Sequence, residues 1–482
     1  VATTFFFYDL ETSGISSKRD RIMQFGGQRT DENLNPIGEP YNQLIKLSPD
    51  ILPSPEAILI TGISPFDCNQ KGISEAEFAE IFNNQIAIAD TIFVGFNNLR
   101  FDDEFIRFLN YRNFYDAYRW HWDNGSSRWD LLDPIRMTRA LRPDAINWPV
   151  TDENKPTNKL ELLTKANGLD HDSAHDALSD VVATIEVASL LKAKQPKLFN
   201  FLLGLRKKDQ VINLVSSDKP FVYTSSHFSS SFLHTTIVGT INIDPSGSAL
   251  VFDLRNDPSE FLDLSVDELV ERWHYDPEAR ETRLPVKTMK FNRCPAIAPL
   301  NVLDKDSLKR LDLDIGRATA NFEVLKSNKQ KFSDKLKLVI KEMDVQRDKR
   351  FETSGSRVPT VDEKLYDKFI DNGDVGNFLL ARQAASNTNL TQPTFKDSRL
   401  NQLYELYKAR NYQQNLNSDD LKSWREYINS KLFEGGDKSP YVQYKVHLDE
   451  LIVANKDNQT KLDYLEDLKK YSQSIADEYE AR

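Results

Sequence analysis

The sequence predicts three successive regions: an α/β region over residues 1–193, a β-rich region over 197–345 and an all-helical region over 362–482. Three observations carry that reading. Residues 1–193 mix short β-rich runs, at Thr4–Leu10, Ile22–Arg29 and Thr91–Gly95, with helical patterns at Asp102–Tyr111 and Ala177–Leu191. A basic, proline-containing stretch, Lys192–Lys197, and then Leu205–Lys208 separate them from runs of strand character at Gln210–Val215, Phe221–Tyr223, Thr235–Ile243, Ala249–Leu254 and Leu284–Phe291. With a turn at Asp244-Pro245-Ser246-Gly247, those runs suit a small β-barrel. After residue 361, apolar residues recur at helical spacing, as in Leu400, Leu403, Leu406, Tyr407, and glycine is confined to Gly373, Gly376, Gly435 and Gly436.

The joins between regions are read from composition. An amphipathic helix over Ala318–Met343 ends the β-rich region, and residues 346–361 (QRDKRFETSGSRVPTV), polar and broken by Gly and Pro, read as a linker. A length of 482 residues suits about three domains and excludes one small binding module. The net charge of −11, from 62 Lys+Arg and 73 Asp+Glu, argues against coating nucleic acid through bulk charge but leaves room for a local basic groove. No apolar run reaches the 18–20 residues of a bilayer span, and no export signal is visible, so no membrane partner is expected. Cys68 and Cys294 stand far apart without a CxxC partner, which fits a reducing cytoplasmic setting better than a disulfide framework or a zinc cluster.

Three short runs carry chemistry. In Phe5–Gly14 (FFFYDLETSG), strand alternation puts Asp9 and Glu11 on one face at the end of an apolar strand. Two such carboxylates either turn out to solvent or hold a cation or a proton between them. In residues 95–105 (GFNNLRFDDEF), Asp102 falls in the first turn of a helix, where acids also serve simple helix-end electrostatics. In residues 174–184 (AHDALSDVVAT), His175 stands at a helix start and Asp180 more than one turn inside, beside the apolar face. The remaining histidines, His121, His171, His227, His234, His274 and His447, have no partner pattern and read as capping or surface residues.

Taken in order, D-x-E, an Asp about 90 residues on, and H-x4-D about 75 residues after that form a specific constellation. It resembles the DEDDh 3′-to-5′ exonucleases of the ribonuclease-H-like fold. The stretches FDDE, YRNFYD, SRWDLLD, LRPxxINWP, LTKANG and AHDALSD are similar to the bacterial exonuclease I family. The related subfamily with Tyr four residues before the last Asp is not matched, because Asp176 stands there.

The resemblance implies a ribonuclease-H-like exonuclease domain with a mixed sheet (1–193), an SH3-like β-barrel domain with a terminal helix (197–345) and a helical C-terminal domain (362–482). It implies Mg2+-dependent removal of nucleoside 5′-monophosphates from the 3′ end of single-stranded DNA, in DNA repair and recombination. Asp9, Glu11, Asp102 and Asp180 would hold two Mg2+ ions, with Mn2+ able to substitute, and His175 would be the general base.

Substrate handling is expected around Tyr111–Asp130, where Tyr111, Phe114, Tyr115, Tyr118, Trp120, Trp122 and Trp129 interleave with arginines; at least half of these rings are expected in the core. Thr12, Phe101, Arg136 and Lys159 are the candidate contacts to the strand's end. The family also docks the acidic C-terminal tail of the single-stranded DNA-binding protein. Arg142 matches the family arginine for that role or simply braces the RP turn, and Phe201 stands where the family has a tyrosine. A 3′-to-5′ exoribonuclease with the same site, and a catalytically silent strand-binding adaptor, are the alternatives. No heptad or self-complementary patch is evident, so a monomer is the default.

Overall fold

The structure is a computed structural model that describes residues 3–169, 175–273, 282–353 and 358–480. Two compact units divide it: residues 1–127, 171–182 and 359–482 form one, and residues 128–170 and 183–358 the other. Among the described residues no helix is long and apolar enough to cross a membrane.

The first unit is built on strands β1 (Thr4–Thr12), β2 (Ile22–Thr30), β3 (Pro36–Leu44) and β4 (Thr91–Gly95), in the order β3-β2-β1-β4. The aromatic run Phe5–Tyr8 is buried on both faces, as a central strand requires. β1 pairs antiparallel with β2 and parallel with β4, so the sheet is mixed. The parallel register ends at Phe7↔Val94, and Asp9 and Glu11 therefore lie beyond it, at the carboxyl end of β1, the usual place for a site in such sheets. β3 is absent from the sequence-based expectation because Pro36, Gly38 and Pro40 disguise it; it is a largely exposed strand, where proline is tolerated.

The Asp102–Arg112 helix is buried on two sides. Phe105, Ile106 and Leu109 join Phe6, Tyr8, Phe25, Phe82 and Phe93 over the sheet. Phe108 and Tyr111 instead join Leu403, Tyr404, Tyr407, Trp424 and Ile428 of the C-terminal helices. A buried ion cluster reinforces that second junction: Asp362 accepts from Arg21 at 3.1 Å and Arg410 at 2.7 Å, and Asp50 accepts from Arg410 at 2.8 Å and Lys431 at 2.7 Å. These cations hold the Asp50 and Asp362 carboxyls below the usual range despite burial.

The chain leaves the first unit within β5 (Ser127–Asp130). The second unit contains β6 (Phe221–Thr224), β7 (Thr235–Asp244), β8 (Ser248–Asp253), β9 (Val286–Lys290) and β10 (Ala296–Pro299), ordered β10-β6-β7-β8-β9. The expected barrel is an open sheet: no pairing joins β10 to β9 among the described residues.

Three further expectations are corrected here. Gln210–Val215 lies in a helix, Lys208–Val215, whose buried Val211 and Val215 are four apart. The helix expected over Ala318–Met343 is two helices, Ile315–Ser327 and Lys329–Thr353, parted at Asn328, whose side-chain amide donates to the Val324 carbonyl. The second of these runs through the first half of the expected linker, because residues 346–353 contain good helix formers and no Gly or Pro, and residues 354–357 lie outside the described residues.

Candidate active site

Three segments of the first unit converge: the end of β1, the start of the Asp102–Arg112 helix and the start of the Ala177–Lys194 helix. Atoms of Glu11, His175 and Asp180 able to bind a metal all lie within 4.8 Å of one another. Asp9 belongs to the same electrostatic cluster. Its carboxyl is pushed well above the usual range by burial and by the charges of Asp102, Asp180 and Asp176. Burial, and then Asp9, Asp180 and Asp176, push Glu11 up to about 9. Carboxylates gathered this closely repel one another, and a hard divalent cation relieves both the repulsion and the desolvation. The donor set, carboxylate oxygens with one imidazole at the rim, fits such an ion.

In each helix an acid adjacent to a site residue, Asp102 in one and His175 in the other, fixes the start of the helix. Asp103, directly after Asp102, accepts hydrogen bonds from the Tyr8 hydroxyl, one residue before Asp9, and from the Asn98 amide at 3.2 Å. At the other helix, Asp176 caps the first turn by accepting from the Ser179 N–H at 3.0 Å. The helix thus begins at Ala177, and Asp180 sits in its first turn rather than deeper inside, where its charge also meets the favourable end of the helix dipole. His175 is exposed and adopts a left-handed φ of 68°, and its N–H donates to Asp180 Oδ2 at 3.3 Å.

Gly26, opposite Asp9 on β2, permits this approach. A Cβ there would lie 2.4 Å from the Ala177 carbonyl carbon and 2.5 Å from the Leu178 nitrogen. Gly26→Ala is therefore expected to push the helix off the strand, destabilising the fold by about 1–3 kcal/mol in urea unfolding and lowering activity with it.

Of the other candidates, Thr12 is buried and its hydroxyl donates to the Gly14 carbonyl at 2.8 Å. Phe101 precedes the Asp102 helix, with its half-buried ring 5.0 Å from that of Phe105. Arg136, Lys159 and Arg142 belong to the second unit. There Arg136 pairs with Asp133 at 2.7 Å, and Lys159 with Glu161 at 3.7 Å. Arg142 donates to the Leu141 and Val302 carbonyls at 2.6 and 2.8 Å and pairs with Asp304 at 3.3 Å. It braces a turn while its side chain stays about a third exposed. Among the expected aromatics, Tyr111, Phe114, Trp120 and Trp129 are core residues, Tyr115 and Tyr118 are half-buried, and Trp122 is 58% exposed. His447 pairs with Glu56 at the surface, and His171 and His274 lie outside the described residues.

Sequence reasoning missed Tyr8, Gly26 and Asp103 as supports of the site, and it treated Asp176 only as the place of an absent tyrosine. The Gly26-Gly27 pair inside a strand pattern was the available signal, because glycine there marks close backbone approach.

Comparison with known proteins completes the site's context. Residues 6–188 match the family described as "Exonuclease", 206–342 the "Exonuclease I SH3-like domain" and 359–475 the "Exonuclease I C-terminal domain". The chain is 36% identical to exodeoxyribonuclease I of Haemophilus influenzae over 477 residues, covering 97% of this chain and 98% of that protein. It is 35% identical to the Escherichia coli protein of the same name, covering 98% of each. The structure is similar to that of E. coli exonuclease I in complex with a dA16 oligonucleotide, with a TM-score of 0.89, 35% identity and coverage of 98% of this chain and 100% of that one. It is also similar to a zinc-bound E. coli complex with single-stranded DNA (TM-score 0.89, 35% identity) and to an SSB/exonuclease I structure with the inhibitor CFAM (TM-score 0.86, 34% identity), each covering 98% of this chain and 100% of that chain.

Proposed function

Because the chain belongs to the exonuclease I family, we propose that it removes nucleoside 5′-monophosphates one at a time from the 3′ end of single-stranded DNA, in the service of DNA repair and recombination. The convergence of Asp9, Glu11, Asp102 and Asp180 with His175 at the rim is the observation that carries this reading. Asp9, Glu11, Asp102 and Asp180 would hold Mg2+, two ions per site, with Mn2+ as a substitute. When bound, such ions neutralise phosphate charge and favour the ionised form of an attacking water.

The chain's own residues supply the rest. The carboxylates fix where the scissile phosphate can sit, since negative charge is excluded from the cluster except where a cation offsets it. His175 takes the proton from the attacking water, a role an imidazole fills near neutral pH. Its exposed position leaves room for the strand's last nucleotide. Thr12 and Phe101, flanking the acids, would contact that nucleotide, and Arg136 and Lys159 would contact the strand. Arg142 would receive the acidic tail of a single-stranded DNA-binding protein. A monomer working in the cytoplasm fits the two free, buried cysteines.

End-labelled single-stranded DNA, duplex DNA and RNA of one sequence, each with Mg2+ or EDTA, test the reading. Stepwise loss from the 3′ end of single-stranded DNA, abolished by EDTA, is expected. Equal loss of RNA would make the protein an exoribonuclease, and binding without cleavage would make it an adaptor.

The raised carboxyls also set a pH dependence. Groups that keep protons at neutral pH in the metal-free protein must release them to bind a cation, so apparent Mg2+ affinity should rise with pH between about 6 and 9. Each displaced proton contributes up to about tenfold per pH unit. Calorimetric titrations in buffers of different ionisation enthalpy would count the protons, and an affinity flat across this range would contradict the expectation.

A further inference from the structure

We propose that Gln24 is a positioning residue for the reaction, holding the segment that carries His175 and Asp180 against β1; this rests on the nuclease reading above. Gln24 is buried on β2, paired in register with Glu11 on β1. Its side-chain amide grips the start of the Ala177–Lys194 helix twice. Nε2 donates to Asp176 Oδ2 at 2.8 Å, and Oε1 accepts from the Ala177 N–H at 3.3 Å. Nε2 also donates to Asn42 Oδ1 at 2.9 Å, which ties the amide to β3.

Asp176 passes the hold onward. Its second carboxylate oxygen accepts from the Ser179 N–H at 3.0 Å, and its carbonyl accepts from the Asp180 N–H at 3.0 Å. The orientation of residues 175–180 is thus set from the strand beside Glu11, and Gly26 two residues further along β2 lets the helix backbone come close enough for the amide to reach. Only a group that donates and accepts in one plane can make this grip. A glutamate keeps the acceptor, loses the donor and turns a negative charge on Asp176. Asparagine is one methylene too short.

Reciprocal exchange separates positioning from simple packing. In Gln24→Glu the donor to Asp176 is lost; in Asp176→Asn the side chain cannot accept from both Ser179 and Gln24. The double variant Gln24→Glu/Asp176→Asn restores the bond with its polarity reversed, since the asparagine amide donates to the glutamate while its oxygen still caps Ser179. Asn42 can reverse its amide to suit.

The measurement is steady-state release of nucleotides from single-stranded DNA at saturating Mg2+, with thermal melting alongside. We expect Gln24→Glu to lower kcat by about 10- to 100-fold, the scale of one buried hydrogen bond broken on one side. KM should stay within about threefold, and the double variant should return kcat to within about threefold of wild type, by the same scale. If Gln24→Glu does not fold, Asp176→Asn is read by the same criteria. Unaltered kcat in the single variant, or a double variant no faster than the single, overturns the inference. A wild type that releases no nucleotide overturns the nuclease reading and this inference together; an active wild type with an unaltered Gln24→Glu overturns this inference alone.

Discussion

His175→Ala is expected to lower turnover of single-stranded DNA by about 10²- to 10⁴-fold, the range in which a positioned general base acts, while DNA affinity stays near wild type. The separation of the two effects follows from the geometry. His175 is exposed, and the contact recorded for it to Asp180 runs through its backbone N–H, which alanine keeps. The carboxylates and the helix start should therefore survive the substitution. Its left-handed φ of 68° costs alanine a little more than it costs histidine, so a small drop in melting temperature is expected as well. Single-turnover rates against filter-binding affinities would check the split, and near-normal turnover would remove His175 from the role of base.

Asp9→Asn should act on stability and activity with opposite signs in the absence and presence of metal. Burial and the neighbouring Asp102, Asp180 and Asp176 raise the Asp9 carboxyl well above its unfolded value. A raised carboxyl contributes stability below its unfolded pKa near 4 and becomes a burden as pH climbs above it. At neutral pH the neutral amide removes that burden, so the metal-free variant should melt higher than metal-free wild type. The same change takes a negative ligand from the cluster. The rise in melting temperature on adding Mg2+ should shrink, and turnover should fall by at least about 10²-fold, the scale of one electrostatic contact in a transition state. Melting curves with Mg2+ and with EDTA check both signs in one experiment, and an unchanged Mg2+-induced rise would exclude Asp9 as a ligand.

Much of this molecule is legible along the chain because its chemistry is local in sequence. Strand alternation puts the D-x-E pair on one face, and Asp102 and H-x4-D fall at helix starts, yet each run alone has a plain structural reading; their order along the chain, and the family resemblance that order carries, singles them out. The fold class follows from the same periodicities. The errors fall where periodicity misleads: Val211 and Val215 suit a strand pattern as readily as a helix, and the prolines of β3 hide an exposed strand. Asn328, polar and unremarkable in sequence, divides what reads as one helix.

Residue identity along the chain supplied the candidate groups for holding a metal and taking a proton, and the succession of three regions of different secondary structure. Tertiary structure alone decided how those groups meet. That Asp103 would serve Tyr8, that Gln24 would clasp Asp176 and Ala177, and that Gly26 would admit a helix backbone are contacts between residues 95 and about 150 positions apart. A hydrogen bond or a missing Cβ acts over a few ångströms, and no pattern within one segment records which distant segment will occupy that space. The C-terminal helices carry the same lesson, since Asp362 and Arg410 find Arg21 and Asp50 only when the chain has folded back on itself.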